Sequence, residues 1–187
     1  MDHVRSRSSS TGDRVVDFEA LYRRYCGQVF AYALRRTSRE TASDVVADTF
    51  LVAWRRLDDV PAEALIWLLA VARKTLANHL RSAERRRALA GKLAEASSVP
   101  APAADYPTTD GSVVMKAFAR IHKKDQEAIA LVAWEGLTPR QAAVVVGCSS
   151  VAFRARLHRA KRRLETELAR GERSAGARAL EPSDRTD

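Results

Sequence analysis

The amino-acid sequence predicts an all-α protein of two small helical domains joined by a flexible linker. Apolar residues recur in several segments with the 3.6-residue period of amphipathic helices. No segment shows the alternation of apolar and polar residues that is typical of a half-buried strand. A stretch rich in proline and small residues, without any periodicity, separates two groups of helical segments. A chain of 187 residues is long enough for two such domains.

The chain is strongly basic, with 32 Lys and Arg residues against 23 Asp and Glu residues and a formal net charge of +9. This balance is typical of proteins that bind nucleic acid or another polyanion. Basic residues are concentrated in two blocks, residues 73–92 and 138–170, whereas acids and bases cancel in residues 17–60. We therefore expect two anionic contacts, one in each half of the chain.

Several other classes of protein are disfavoured. Two cysteines, Cys26 and Cys148, are too few for a disulfide framework and favour a reducing compartment. The histidines lack metal-ligand spacing, and the longest apolar run, Ala64–Ala72, is too short to cross a membrane. No catalytic triad, glycine-rich phosphate loop or pair of acids in a predicted cleft indicates an enzyme. We expect a cytoplasmic binding protein without metal or cofactor.

The first two predicted helices follow a polar start. Residues 1–16 are rich in Ser and Arg and are expected to be disordered. Asp17 can cap a helix with an apolar stripe from Phe18 to Ala33, and Ser38 can cap the next. The inward side of this second helix is predicted to comprise Ala42, Val45, Val46, Thr49, Ala53 and Leu57.

The opposite side of the second helix carries acids at every fourth position. Glu40, Asp44 and Asp48 lie there together with Leu51. A solvated exterior is the ordinary interpretation of such a side. An apolar residue among acids, in a protein otherwise so basic, instead favours a docking surface for a basic protein partner.

A third helix is predicted from Pro61, which suits a first helical turn, to Arg87. Its first half is apolar on every side and should be buried. The second half keeps an inward stripe at Ala72, Leu76, Leu80 and Ala83. A polar, cationic row lies opposite this stripe and comprises Lys74, Asn78, Arg81 and Arg85. Because an asparagine side chain can read bases, we favour nucleic-acid contact over a merely solvated row.

Two further segments are predicted to lack regular structure. Residues 88–112 include SSVPAPAADYPTTDGS and are interpreted as the linker. Residues 171–187 are interpreted as a disordered tail.

A helix-turn-helix is predicted in the C-terminal half. Gly136 ends one helix, Thr138-Pro-Arg-Gln141 has the pattern of a capping box, and Gly147 separates the short helix from one capped by Ser149. The second helix should bury Phe153, Leu157, Ala160, Leu164 and Leu168. A plain helical hairpin is the alternative, but the second helix carries Arg154, Arg156, Arg159, Lys161, Arg162 and Arg163. We predict DNA contacts in the major groove from Arg140, Ser150, Val151, Arg154, Ala155, Arg156, His158, Arg159 and Arg162.

Taken in order, these motifs resemble those of a bacterial extracytoplasmic-function sigma factor over residues 17–168. The segment DVVADTFLVAW, residues 44–54, is similar to the polymerase-binding helix of that family. The segment WLLAVARKTLANHLR, residues 67–81, is similar to its promoter-melting helix. EGLTPRQAA and VAFRARLHRAK are similar to its helix-turn-helix. Ala47, Lys74, Asn78 and His122 depart from the residues that are usual in the family, which are Gln, Asn, Asp and Pro.

The resemblance implies a function in transcription initiation. Residues 17–87 would be sigma region 2, which binds the β and β′ subunits of core RNA polymerase and the −10 element. Residues 113–170 would be sigma region 4, which binds the −35 element. The implied partners are core polymerase, double-stranded promoter DNA, its single non-template strand and an anti-sigma factor. The protein would then associate with the nucleoid as part of holoenzyme.

The family's pocket for a flipped −10 base would lie at the loop that contains Asp58, Asp59 and Val60. We expect the cationic row of the third helix to lie beside this loop. The alternative function is that of a one-component helix-turn-helix repressor or activator, which would bind a palindrome as a dimer without polymerase.

Overall fold

The structure is a computed structural model that describes residues 11–93 and 113–179. Within these ranges it contains α-helices, one 3-10 turn at Leu57–Asp59 and no strand. The helices are α1 (Thr11–Leu34), α2 (Arg39–Arg55), α3 (Ala64–Leu93), α4 (Val113–Arg120), α5 (Lys123–Ala133), α6 (Pro139–Val146) and α7 (Ser150–Ala179). α1–α3 form one compact unit and α4–α7 form another. The predicted all-α class with two helical units is confirmed.

In the first unit, α2 packs against both α1 and α3. Ser38 caps α2, and its hydroxyl accepts a hydrogen bond from the Thr41 backbone N–H at 3.4 Å. The buried residues of α2 are Ala42, Val45, Val46, Thr49, Phe50 and Ala53. The predicted inward side is therefore correct except at Leu57, which is half-buried and belongs to the 3-10 turn. Thr49 is tolerated in this core because its hydroxyl donates to the carbonyl of Val45 at 2.6 Å.

The first helix begins at Thr11 and not at Asp17. The predicted disorder is therefore wrong for residues 11–16, whereas residues 1–10 lie outside the described ranges. The added helical turns carry Arg14, which forms an ion pair with Asp58 and lies over the ring of Trp54. Local composition could not reveal this contact, because its partners are distant in the sequence.

The third helix is shifted relative to its prediction. It begins at Ala64, after an extended Val60 that precedes Pro61, a backbone conformation that proline favours in the preceding residue. It continues to Leu93, so residues 88–93 of the predicted linker are helical, in keeping with helix-forming residues such as Ala88 and Leu89. Residues 94–112 lie outside the described ranges.

The inward stripe of α3 is buried at Ala72 and Leu76, but Leu80 is 43% exposed. Ala83, one turn further along the stripe, is half-buried. The stripe is therefore fully buried only as far as Leu76.

In the second unit, α4, α5 and α6 each pack against α7. Phe153, Leu157 and Ala160 are buried as predicted, whereas Leu164 and Leu168 are only half-buried. The predicted tail is helical at residues 171–179, where it extends α7, and residues 180–187 lie outside the described ranges.

Two polar contacts stabilise the first turn of α5. His122, which stands where the resembling family has Pro, caps the helix, and its Nδ1 accepts a hydrogen bond from the Lys124 backbone N–H at 3.1 Å. Asp125 in the first turn is only 5% exposed and forms an ion pair with Arg163 of α7. The carboxylate is also favoured at this position by the helix dipole. A buried carboxylate therefore holds α5 and α7 together.

We expect Arg163→Ala to lower the free energy of unfolding by about 1–3 kcal/mol, because it leaves the buried Asp125 carboxylate without its charged partner. Urea or thermal denaturation would measure this change. The matched control is Arg162→Ala, which removes the neighbouring exposed arginine and should change stability by no more than about 0.5 kcal/mol. Equal stability of the two variants would contradict a structural role for the ion pair.

Candidate protein-docking and nucleic-acid interfaces

The acidic face of α2 is exposed in this structure. We give this name to Glu40, Asp44, Asp48 and Leu51. All four are exposed, with 45% of Leu51 accessible, and they lie opposite the buried side of the helix. An exposed leucine among carboxylates provides an apolar contact within a charged rim, which is the usual arrangement of a protein interface.

A groove with a volume of about 440 Å³ runs between α2 and α3. It is lined from α2 by Asp48, Leu51, Val52 and Arg55, and from α3 by Thr75, Asn78, His79, Ser82 and Arg86. Asp48 hydrogen-bonds across it to Nε2 of His79 at 2.8 Å. The sequence indicated an acidic face and a cationic row as separate features. In the structure, the same groove is lined by Asp48 and Leu51 of the acidic face and by Asn78 of the cationic row.

The cationic row of α3 is exposed at Lys74, Asn78, Arg81 and Arg85. Arg81 donates to Oδ1 of Asn78 at 2.6 Å and to the Ala77 carbonyl at 3.1 Å. Arg85 donates to the Ser82 hydroxyl at 2.9 Å. These contacts hold the guanidinium groups along the helix. They also leave the amide NH₂ of Asn78 as the group that can donate to a base edge.

The loop that precedes α3 does not present free carboxylates. Asp58 is paired with Arg14, and Asp59 is paired with Nε of Arg56 at 3.0 Å. Val60 is half-buried and extended. Lys74 lies about 15 Å along α3 from its first residue, so the cationic row begins nearly three turns into the helix that follows the loop.

The helix-turn-helix forms as its local sequence predicts. Thr138 accepts from the Gln141 backbone N–H at 3.3 Å, and Gln141 Oε1 accepts from the Thr138 backbone N–H at 3.0 Å, which completes the capping box. Gly147 ends α6 with φ at +73°, a left-handed conformation that favours glycine. Ser149 accepts from the Ala152 backbone N–H at 3.2 Å and caps α7. The predicted capping and turn residues are therefore confirmed.

The early turns of α7 expose most of the residues predicted to contact DNA. Val151 is 72% exposed, and Arg154, Ala155, His158, Arg159 and Arg162 are exposed as well. Ser150 and Arg156 are half-buried, and Arg140 is exposed on α6. Phe153 and Leu157 of the same helix are buried, so one side holds the core while the other remains accessible.

Sequence reasoning missed three polar partners. Arg163 is one of the basic residues that favour DNA binding over a plain hairpin, but it is paired with Asp125. His79 and Arg14 were not singled out, although each pairs with a predicted site residue. No periodic signal reports such pairs, because their members lie on different elements of the fold.

Among the described residues, no group of His, Cys, Asp and Glu side chains could hold a metal, and no helix has the length and apolar character needed to cross a membrane.

Comparison with known families assigns both units. Residues 21–86 match the family model for Sigma-70 region 2, and residues 112–164 match that for Sigma-70, region 4. Together, and in this order, the two models cover more than half of the chain. The chain belongs to the sigma-70 family, as an extracytoplasmic-function RNA polymerase sigma factor.

This sigma factor is similar to two curated bacterial proteins. It is 28% identical over 154 residues to the ECF RNA polymerase sigma factor BldN of Streptomyces coelicolor, a match that covers 79% of this chain and 58% of that protein. It is 28% identical over 178 residues to the RNA polymerase sigma factor NccH of Alcaligenes xylosoxydans xylosoxydans, covering 90% of this chain and 95% of that protein.

A solved structure extends the similarity to the fold. The sigma factor RpoE from Bartonella quintana, crystallised with the anti-sigma factor NepR, matches this sigma factor with a TM-score of 0.61 and 26% identity. The match covers 82% of this chain and 97% of that chain.

Proposed function

We propose that this sigma factor binds core RNA polymerase through its β and β′ subunits, recognises −10 and −35 promoter elements and promotes DNA melting. The proposal rests on the match of both units to sigma regions 2 and 4, in the family's order. The alternative of a one-component repressor or activator is not favoured, because the first unit matches a sigma region rather than a sensor domain.

Run-off transcription tests the proposal directly. Purified core polymerase is incubated with a genomic promoter library, with and without the full-length chain. We expect promoter-specific products only when the chain is present, because core polymerase alone has no promoter-reading unit. A protein that binds palindromic DNA tightly without polymerase, and yields no new transcript with it, would instead be a one-component regulator.

Docking is proposed to use the acidic face of α2. Its carboxylates are exposed and lie on one side of one helix, in a row that ends at an exposed leucine. A basic surface on the polymerase would be attracted to this face, and charge complementarity mainly sets the rate and the specificity of such an encounter. Asp48 is already hydrogen-bonded to His79, so Asp44 is the cleaner acidic position at which to test docking, and Leu51 is the apolar position.

We expect Asp44→Arg combined with Leu51→Arg to weaken core binding by at least about tenfold, because it sets like charge against a basic partner. Fluorescence anisotropy of the labelled chain, titrated with core polymerase at fixed salt, would measure the dissociation constant.

The matched control is Val16→Arg with Glu19→Arg, which makes the same kinds of change at exposed positions of α1. Both variants should keep the far-ultraviolet circular dichroism of the wild type. If the α2 variant is folded and binds core polymerase as tightly as the α1 control, the docking surface lies elsewhere.

Recognition of the −10 element is proposed to use the cationic row of α3 and the loop at Asp58, Asp59 and Val60. The row supplies charge for the phosphates of a single strand, and the Asn78 amide supplies a donor for a base. Lys74 stands where the family usually has Asn, so it would strengthen attraction to the backbone at the expense of one base-specific hydrogen bond.

Recognition of the −35 element is proposed to use the exposed side of α7. Arg154 lies one helical turn after the N-cap, where the recognition helix of a helix-turn-helix contacts base edges. Arg159 and Arg162 lie further along the helix, where contacts to phosphates are expected. Further DNA contacts beside that of Arg154 would come from Arg140 on α6 and from Arg156 and His158 on α7.

We expect Arg154→Ala to reduce discrimination at one or two −35 positions, because a bidentate arginine–guanine pair contributes roughly 1–3 kcal/mol. Arg162→Ala should instead weaken binding to every promoter about equally and reduce the salt slope by about one. Binding of holoenzyme to a set of single-base promoter variants at two or more salt concentrations would separate these effects. An equal loss on all variants for Arg154→Ala would show that Arg154 does not read bases.

Regulation by an anti-sigma factor is proposed from the same comparisons. The Bartonella quintana relative was crystallised with an anti-sigma factor, and it shares 26% identity and the fold with this chain. An anti-sigma factor would keep this sigma factor from polymerase in the bacterial cytoplasm until a signal releases it.

A further inference from the structure

Arg14 makes three contacts from the first turns of α1. Its Nη1 forms an ion pair with Oδ2 of Asp58, and its Nη2 lies 3.4 Å from the Trp54 carbonyl oxygen. Its guanidinium carbon lies 6.0 Å from the centroid of the Trp54 ring. Only 30% of the Arg14 side chain is exposed, although it lies near the surface. The side chain is thus fixed by a charge, a carbonyl and an aromatic face together.

These contacts join three elements. Arg14 belongs to α1, Trp54 to the last turn of α2, and Asp58 to the 3-10 turn that follows. Trp54 is itself held by Phe18 of α1, with ring centroids 5.2 Å apart and planes at 77°, an edge-to-face contact. The start of α1 therefore buttresses both the end of α2 and the turn.

Asp59, the other acid of the turn, does not connect the turn to α1. Asp59 pairs with Arg56, which lies in the same short segment, so this contact does not fix the turn relative to another helix. The Arg14–Asp58 pair fixes the turn relative to α1, since it links residues 44 positions apart. It also neutralises a carboxylate that would otherwise repel the phosphates of a DNA strand.

We propose that Arg14 is a positioning residue for −10 recognition, which sets base preference through Asp58 without contacting DNA. In this arrangement the Asp58 carboxylate anchors the turn, and Asp59, Val60 and the turn's backbone remain to shape the pocket. The inference rests on the proposed function, since it concerns the loop assigned above to a flipped −10 base.

The test compares Arg14→Ala, the conservative Arg14→Lys and a matched control, Arg23→Ala, in the full chain. Arg23 is also on α1 and also pairs with an acid, but its partner Glu19 is on the same helix. Amide hydrogen exchange of the free protein reports the order of residues 57–60. Run-off transcription by holoenzyme, on four promoters that differ at the most discriminated −10 base, reports selectivity.

Arg14→Ala should speed exchange in the turn and reduce selectivity at that base by roughly two- to fivefold, the range that an exposed ion pair supports. Arg14→Lys, which keeps the charge, should recover part of both effects, and Arg23→Ala should change neither. Discrimination at the −35 element should stay at the wild-type level in all three variants, which a general loss of folding would not allow.

Two results would overturn the inference. Unchanged exchange at residues 57–60 in Arg14→Ala would show that Arg14 does not order the turn. Faster exchange with unchanged −10 selectivity would show that the ordering has no part in recognition. If wild-type holoenzyme gives no promoter-dependent product at all, the proposed function itself fails, and the inference falls with it whatever the exchange shows.

Discussion

Both units depend on one constraint. Each contains a helix that must be buried on one side and accessible on the other. In α7, Phe153, Leu157 and Ala160 recur at helical spacing and are buried by α4, α5 and α6. The same spacing turns Arg154 and His158 outward. α2 obeys the same constraint, with its apolar side against α1 and α3 and its acidic face exposed. A change in the core side of either helix would therefore also rotate or shift its exposed side.

Some charged side chains pair within the fold and others remain exposed, and burial decides which of them pair. Asp125 is almost fully buried, and an unpaired carboxylate there would be costly, so Arg163 is needed within the fold. Arg14 is likewise engaged by Asp58 and Trp54. The count of 32 Lys and Arg residues thus overstates the number of cations that are available to a polyanion, because some of them are paired within the fold. The exposed arginines of α7 and the cationic row of α3 are better guides to a polyanion contact than the total.

Local signals account for what the sequence predicted correctly. The capping box at Thr138, the turn at Gly147 and the buried side of α2 each depend on residues within one or two helical turns. The helical residues 11–16 and 88–93 could not be predicted in this way, because short polar or glycine-containing segments carry little periodic signal. The same holds for site geometry. The Asp48–His79 pair spans 31 positions and the Arg14–Asp58 pair spans 44, so neither follows from periodicity or composition.

The groove between α2 and α3 links the two proposed activities of the first unit. It is lined by Asp48 and Leu51 of the acidic face and by Asn78 of the cationic row. The Asp48–His79 hydrogen bond crosses it, so a partner that draws Asp48 away also frees a side chain next to Asn78. Polymerase docking and capture of the DNA strand, if both use this unit as proposed, are then not independent events. Substitutions of Asp48 would alter both, whereas Asp44 lies outside the groove lining and reports docking alone.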